Sequence, residues 1–457
     1  MSFDLAEAVR RLATAPLHED PGTRWRYGYS IDILGRLVEV CSGKPLDQFF
    51  EERIFRPLSM KDTAFFVPEE KWSRLATLYA PKKGGGIERS TGPAQERYKK
   101  KPALLLGGAA PLAPWSPGFA KTLSIPEVDR IAVRVVTDNI QFAVAPNAVA
   151  DNVTIERFGW GLGPNPPQQT LISEFGLAMH VEAQRGSDVR NVLVDFGYTP
   201  GALTTNLSLL GIDPSAIDAL VLSHGHYDHF GGLVGFLEAN AGKLKPRLPL
   251  YVGGEECFCA RQWTGPPAPG NFGVLDRTAI RANGITIVDA EHPARVADFA
   301  FTSGHIAQTT FEKTLSPSKM KLGLTNGIGC DTSGFSAEQR QAGIVPDTFG
   351  HEIATAFNLK GRGLVVLTSC SHRGVLNALA AARTASGVQK VHAVIGGFHL
   401  APYPEDYVRQ TVSGLSAESV DYVIPLHCTG DVFHDIARGE LGSKLLRSYT
   451  GTRFVFT

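Results

Sequence analysis

The stretch ALVLSHGHYDHFGGLVGFL, from Ala219 to Leu237, constrains this chain more than any other. Its apolar start is typical of a buried β-strand, and it is followed by His224, His226, Asp228 and His229. Imidazole and carboxylate are good ligands for zinc and related ions. The first two histidines can reach one ion from a turn, and the next two side chains can turn to a second. Interspersed glycines allow tight folding around the ions. We therefore predict a metal site rather than a plain polar turn.

Three more apolar runs, GLVVLTSCSH, VHAVIGGFHL and VDYVIPLHCTG, contain His372, His399 and His427 at or near their ends. Strand ends on one edge of an α/β sheet converge, and such edges are where these folds build their sites. We therefore expect His372 and His427 to complete the metal site. His399 is an open case between a ligand and an ordinary histidine. We interpret the adjacent Cys370 and Cys428 as buried small apolar side chains.

The chain divides into two parts of different character. Residues 26–60 show helical periodicity, and GGAAPLAPWSPG (Gly107–Gly118) is rich in structure breakers. From about Ile125, short β-branched runs alternate with helical patterns, which indicates α/β layers. We predict an N-terminal segment over residues 1–110, a linker over 111–124 and a second domain over 125–457.

Composition restricts the class of protein. The 457 residues are 43% hydrophobic and 20% charged, as in a soluble globular protein with at least two domains. Lys+Arg and Asp+Glu are equal at 45 each, which argues against general nucleic-acid binding. The six cysteines are scattered and indicate no disulfide framework. With no apolar leader and no membrane-spanning run, we expect a cytoplasmic protein with a small-molecule substrate. Whether the chain forms a homodimer is left open by the sequence.

The motifs LVDFG, SHGHYDH, CSHRG, GGFHL and PLHCTG, in this order, resemble the metallo-β-lactamase superfamily. They are most similar to the branch of metal-dependent hydrolases related to the methanopterin-pathway dihydropterin synthases. The resemblance covers about 125–457 and implies an αββα sandwich with one or two metal ions at the sheet edge. By position it implies a first metal site of His224, His226 and His372, a second of Asp228, His229 and His427, and a bracing role for Asp195 behind the histidine loop.

One position departs from the superfamily pattern. The superfamily has a bridging aspartate at the end of the penultimate site strand, where this chain reads IGGFHL and offers His399. The number of ions, one or two, is therefore open. Zinc is the expected metal, and manganese and iron are alternatives that a histidine-rich site with one aspartate also accepts.

The N-terminal segment resembles the middle of a serine β-lactamase or class C esterase-type domain. The segment from PLHEDPG to TAFFVP carries the resemblance, and Tyr27 falls where that family has its catalytic tyrosine. The family's Ser-x-x-Lys and Lys-Thr-Gly elements have no match, and acylation requires an activated serine. We expect this helix-rich remnant to be catalytically inert and Tyr27 to be a packing residue.

These features favour a metal-dependent hydrolase. A metal-bound water with its pKa lowered toward about 7 would attack an ester, lactone, amide or phosphoester. Asp228 would orient the nucleophile and take its proton, and His399 would bind metal or hydrogen-bond the substrate oxygen. Two alternatives are a pterin-related synthase, in which the metals activate a leaving phosphate, and a non-catalytic metal-binding sensor.

Overall fold

The computed structural model describes residues 5–12, 30–60, 63–66, 69–70, 79–81, 87–89, 123–159, 164–265 and 267–457. The chain divides into two compact units, Met1–Phe119 and Ala120–Thr457, and this division falls within the linker predicted over 111–124. Tyr27 and residues 111–122 lie outside the described residues.

The first unit is mainly helical in its described part. Its helices span Leu5–Leu12, Ser30–Ser42 and Leu46–Phe50, and the last continues as a π-helical turn, Glu51–Phe55. Strands β1 (Tyr79–Pro81) and β2 (Ile87–Arg89) pair antiparallel. A small apolar cluster forms where Leu46 is buried against Val38, Phe50 and Phe65.

The second unit consists mainly of strands. In chain order these are β3 Glu127–Val128, β4 Arg130–Thr137, β5 Ala148–Ala150, β6 Val153–Glu156, β7 Ala178–Arg185, β8 Asp188–Val194, β9 Ala219–Val221, β10 Pro249–Val252, β11 Ala260–Trp263, β12 Gly270–Asn271, β13 Thr286–Asp289, β14 Arg295–Val296, β15 Ala300–Thr302, β16 Ser318–Lys321, β17 Leu324–Thr325, β18 Ile328–Gly329, β19 Ile344–Pro346, β20 Thr355–Leu359, β21 Gly363–Leu367, β22 Val391–Gly397, β23 Tyr422–Leu426 and β24 Arg453–Phe456. Its α-helices are Pro200–Leu209, Tyr227–Phe230, Leu233–Ala239, Arg277–Ala282, Ala337–Ala342, Val375–Ser386, Glu405–Ala417 and Asp431–Glu440.

Two large sheets face each other. The first has the order β13-β10-β9-β8-β7-β4-β24-β6-β5, and the second β14-β15-β20-β21-β22-β23 with β3 beside β20. Strands β8, β9, β10 and β13 run parallel, as do β21, β22 and β23. A four-stranded sheet, β12-β11-β16-β19, and the hairpin β17–β18 stand beside them. The carboxyl ends of the parallel strands carry the histidine motifs.

Apolar side chains account for the layering. Between the two sheets lies a core that includes Val133, Val181, Phe357 and Ile395. The outer face of the first sheet packs on helices Pro200–Leu209 and Leu233–Ala239, and that of the second on Val375–Ser386, Glu405–Ala417 and Asp431–Glu440. Each sheet is therefore buried on both faces, which is why its parallel strands are continuously apolar. The predicted αββα sandwich is confirmed.

Two features of the fold differ from the sequence prediction. Strand β24 (Arg453–Phe456) lies after the last predicted strand, yet it is an interior strand of the first sheet, between β4 and β6. The prediction of no disulfide framework is wrong in one respect, because Cys259 and Cys330 form a disulfide. Their separation of 71 residues gives no sequence signal, since only the folded chain brings the end of β18 to the start of β11.

None of the described helices combines the length and the apolar character that crossing a bilayer requires.

Candidate metal centre

The six residues expected as metal ligands come from the carboxyl ends of β9, β21 and β23, and the structure brings them together. The His224 ring lies 4.9 Å from that of His226 and 4.8 Å from that of His372, measured between centroids. The His229 and His427 rings are 4.9 Å apart. All are buried. This convergence follows from the topology, because parallel strands end at one edge.

The first group contains His224, His226 and His372. His224 Nδ1 bonds the Ser223 hydroxyl at 2.9 Å, which leaves Nε2 for a ligand. His226 Nε2 bonds the Ser318 hydroxyl at 2.9 Å, which leaves Nδ1. His372 and His226 rings lie 4.8 Å apart. His224 and His226 are thus each oriented through one ring nitrogen while the other is available.

The second group contains Asp228, His229 and His427. His229 Nε2 and His427 Nε2 lie 3.7 and 3.2 Å from Asp228 Oδ2. His229 Nδ1 lies 2.7 Å from Asp195 Oδ2, so the Nε2 atom is the one presented to the site. A carboxylate between two imidazoles is a donor set that binds zinc well.

Asp195 lies directly after β8, behind the histidine loop. It accepts hydrogen bonds from the Ser223 amide and hydroxyl, both at 2.8 Å, in addition to its contact with His229. Its φ of 58° is a left-handed conformation that non-glycine residues rarely adopt. Asp195 therefore orients His229 directly and His224 through Ser223, which is how partners behind a metal site fix their ligands.

The residues fit a bound cation. Among the described residues, several buried atoms of the two groups have no hydrogen-bond partner: His224 Nε2, Asp228 Oδ1, both nitrogens of His372 and Nδ1 of His427. Buried polar atoms without partners are costly and rare in native proteins. A divalent cation would satisfy imidazole and carboxylate lone pairs together.

The electrostatics of the site suit metal binding. Burial, reinforced by neighbouring imidazoles, lowers the pKa of His224 and His372, and burial lowers that of His226 to about 3. These rings are therefore neutral at pH 7, with free lone pairs. Burial would raise the pKa of Asp228, but His229 and His427 lower it, so the carboxylate is ionised.

His427 differs from the other imidazoles. Burial alone would lower its pKa, but the neighbouring Cys428 and Asp228 raise it to about 9. His427 therefore carries a proton at pH 7 in the absence of metal, and its Nε2 lies 3.2 Å from Asp228 Oδ2. Binding of a cation here would therefore release a proton.

His399 lies after β22, where the superfamily pattern has its aspartate. Its φ is 47°, its ring is 4.0 Å from that of His372, and its Nε2 is 3.2 Å from the carbonyl oxygen of Leu315. The residue is half-buried. It borders the first group and faces the segment before β16.

Two cysteines lie beside the expected ligands. Cys370 and Cys428 are buried, with 2% and 8% of their surface exposed, as expected of small apolar side chains. Their sulfurs nevertheless lie among the potential ligands, since Cys370 Sγ is 3.2 Å from His229 Nε2 and 3.3 Å from Cys428 Sγ. Their place in the sequence could have indicated this proximity, because each cysteine lies within two residues of His372 or His427.

A buried arginine beneath the histidine loop had no sequence signal. Arg261 is fully buried, pairs with Asp347 at 3.1 Å and donates to the carbonyl oxygen of Cys259 at 2.6 Å. The amide of Gly225 donates to His351 Nε2 at 3.0 Å, and a Cβ on Gly225 would lie 2.6 Å from an Arg261 nitrogen. Gly225 is therefore required by close approach. His351 supports the loop through this bond to Gly225.

Aromatic side chains form the wall of the site. Phe349 stacks on His372 with ring centroids 3.7 Å apart, and Phe272 lies 5.2 Å from the His226 ring. Phe175 lies 4.7 Å from the His427 ring and is 56% exposed. An exposed aromatic ring beside a ligand offers an apolar surface to a substrate.

Comparisons with known proteins agree with this architecture. The chain is 28% identical over 282 residues to the 7,8-dihydropterin-6-methyl-4-(beta-D-ribofuranosyl)-aminobenzene-5'-phosphate synthase of Methanocaldococcus jannaschii, covering 61% of this chain and 89% of that protein. The crystal structure of Tm1679, a metal-dependent hydrolase of the beta-lactamase superfamily, matches 71% of this chain and 98% of its own with a TM-score of 0.50 and 22% identity. The latter likeness concerns the fold.

Other relatives match a shorter stretch. The chain is 43% identical over 77 residues to the esterase EstB of Burkholderia gladioli, a match that spans 17% of this chain and only 19% of that esterase. A beta-lactamase family model matches residues 2–236 and so extends from the first unit into the first strands of the second. The chain therefore belongs to the beta-lactamase family by this match, and its second unit has the metallo-β-lactamase fold.

Proposed function

We propose that the second unit is a metal-dependent hydrolase of a small-molecule substrate. One observation carries this proposal: two groups of buried imidazole and carboxylate atoms converge at the sheet edge, several of them without partners among the described residues. Zinc suits a donor set dominated by neutral imidazole. A bound ion would supply a water activated at neutral pH and an electrophile for the substrate oxygen.

Side chains around the ion would accept the proton from the attacking water and would bind the substrate. Asp228 Oδ1, unpartnered within the described part of the chain, would accept a proton from the attacking water. The half-buried His399 borders His372 and could donate a hydrogen bond to a substrate oxygen that displaces the Leu315 carbonyl. Phe175 would contact an apolar part of the substrate beside His427. An ester, lactone, amide or phosphoester meets these requirements.

The experiment combines metal analysis with a substrate panel. Purified protein would be depleted with a chelator, reloaded with zinc, manganese or iron, and assayed on ester, lactone, amide and phosphodiester substrates. We expect turnover to depend on the metal and to be lost together with the metal in His226→Ala/His229→Ala. His434→Ala, on the outer helix Asp431–Glu440, serves as the control and should retain both. Full turnover by the metal-free double variant would refute the proposal.

A second candidate is a synthase that transfers a pterin-type group from a phosphorylated precursor to an amine. The likeness to the M. jannaschii synthase over 89% of that protein supports it. The discriminating assay offers a pyrophosphorylated pterin precursor with and without an aromatic amine. Pyrophosphate release that requires the amine supports the synthase, whereas release by water alone supports the hydrolase.

A further inference from the structure

Three groups of ligand atoms in the described residues lie close enough together to bind an ion, with all atoms of a group within 4.8 Å of one another. The groups are His224, Cys370 and His372; His229, Cys370 and His427; and Cys370, His399 and Cys428. The first two correspond to the two expected metal positions. The sulfur of Cys370 is the atom that both positions share.

A shared atom is what the expected bridging aspartate would have supplied. His399 follows the strand that should carry this aspartate, but a neutral imidazole nitrogen has a single lone pair and binds one ion. A thiolate sulfur has several lone pairs and is a strong zinc ligand. On chemical grounds, therefore, Cys370 can do what His399 cannot.

The backbone holds Cys370 firmly in this place. The neighbouring Ser371 hydroxyl donates to the carbonyl oxygen of Gly397 at 2.9 Å, and the amide of Gly397 donates to the carbonyl oxygen of Ser369 at 3.1 Å. Cys428 Sγ contacts Cys370 Sγ at 3.3 Å from the side of β23. The Cys370 sulfur is thus fixed between the strand ends that supply both groups of histidines.

We propose that the Cys370 thiolate is a metal ligand shared by the two ion positions, in the bridging place for which the sequence offers no carboxylate. The inference rests on the proposed metal-dependent function and makes it more specific. It predicts a mixed imidazole–thiolate centre that holds two ions and prefers zinc to manganese, because thiolate is a soft ligand.

Cobalt substitution tests the inference without an assay of turnover. The full chain, depleted of metal under reductant, would be titrated with Co²⁺ while the near-ultraviolet absorption and the bound cobalt per chain are recorded. We expect two ions per chain and a thiolate-to-cobalt charge-transfer band. Cys370→Ala should lose the band and bind the second ion at least about tenfold more weakly, because even partners behind a ligand contribute that much.

Two further variants make the test specific. Cys257→Ala removes another buried thiol, which belongs to the apolar cluster outside the first sheet, and should leave the band unchanged. Cys370→Asp supplies a bridging carboxylate and should recover two-ion binding without the band. Retention of the band in Cys370→Ala, or its loss in Cys428→Ala alone, would overturn the inference.

The outcomes also separate this inference from the proposed function. Cobalt bound without a thiolate band in the unmodified protein overturns the role of Cys370 and leaves a histidine–aspartate metal centre intact. Failure to bind cobalt, zinc or manganese at all overturns both the shared ligand and the hydrolase.

Discussion

At the scale of single residues, the candidate metal centre is oriented by side chains that lie behind the expected ligands. Asp195 accepts two hydrogen bonds from Ser223 and contacts His229, while Ser318 bonds His226. Each of these contacts fixes one imidazole nitrogen and so decides which nitrogen faces the site. Loss of such a partner should weaken metal binding without removing a ligand.

Asp195→Asn tests this directly. Asparagine tolerates the left-handed backbone of this position, but it carries no charge to support His229, so we expect zinc affinity to fall about 10- to 100-fold. Competition with a chromophoric chelator measures the change. Asp218→Asn is the matched control, because Asp218 accepts the Asn191 amide near the other end of the same strands. Equal zinc affinities for Asp195→Asn and the unmodified protein would contradict the bracing role.

Phe175 gives a second prediction at this scale. If its exposed ring contacts substrate beside His427, Phe175→Ala should raise KM about 3- to 10-fold, the loss of one aromatic contact. The value of kcat and the metal content should change little. Phe175→Tyr retains the ring and should behave like the unmodified enzyme. A fall in kcat at constant KM would instead assign the ring a role in ordering the metal centre.

At the scale of elements, a buried carboxylate caps the helix Val375–Ser386. Glu312 accepts hydrogen bonds from the amides of Leu376 at 2.9 Å and Asn377 at 3.2 Å, in the first turn of this helix. Burial raises the pKa of Glu312 to about 7 despite these bonds. Between these two pKa values the folded protein therefore holds a proton that the Glu312 carboxyl of the unfolded chain, with its ordinary pKa of 4.5, has released.

The raised pKa of Glu312 should make the free energy of unfolding depend on pH in a predictable direction. Between about pH 4.5 and 7 the folded state binds more protons than the unfolded state, so this group makes the free energy of unfolding fall as pH rises. Glu312→Gln removes the contribution, and the variant should gain about 1–3 kcal/mol relative to the unmodified protein between pH 4.5 and 7.5. Urea unfolding at both pH values measures the difference. If the free energies of unfolding of the variant and the unmodified protein differ by the same amount at both pH values, Glu312 does not titrate in this range.

The disulfide joins two elements that the strand ladders leave separate. It connects the start of β11 with the end of β18 and closes a loop of 71 residues, for which chain entropy predicts a contribution of about 4 kcal/mol. Reduction should lower the free energy of unfolding by this amount in the unmodified protein. Cys259→Ala/Cys330→Ala should be insensitive to reductant. Six rather than four reactive thiols in the denatured, unreduced protein would contradict the disulfide.

The elements also show what sequence can and cannot predict. Strands β9, β21, β22 and β23 were recognisable because parallel strands covered on both faces are long apolar runs that end in polar motifs. Strand β24 (Arg453–Phe456) was not, since four residues carry too little periodicity. Likewise the histidines of the candidate site form a spaced pattern in the sequence, whereas Arg261 and Ser318 reach the site only through tertiary structure.

At the scale of the whole molecule, the candidate site and the apolar clusters around it belong to one unit. Its three apolar clusters and both ligand groups lie within Ala120–Thr457. Tm1679 matches this architecture over 98% of its own length, which shows that the fold exists in a chain of about this extent. The first unit precedes the sandwich in the chain. The catalytic inertness predicted for its β-lactamase-like segment concerns acylation of a serine and not the metal chemistry of the second unit.

We therefore expect residues 120–457, produced alone, to unfold cooperatively and to bind zinc with the affinity and stoichiometry of the full chain. The physical reason is that an apolar core closed within one unit does not depend on a neighbour for its burial. Urea unfolding followed by fluorescence and elemental analysis of bound zinc measure both properties. The control is the same fragment with His224→Ala/His229→Ala, which should fold but lose zinc. A fragment that folds yet binds zinc more weakly than the full chain would assign residues 1–119 a part in the metal centre.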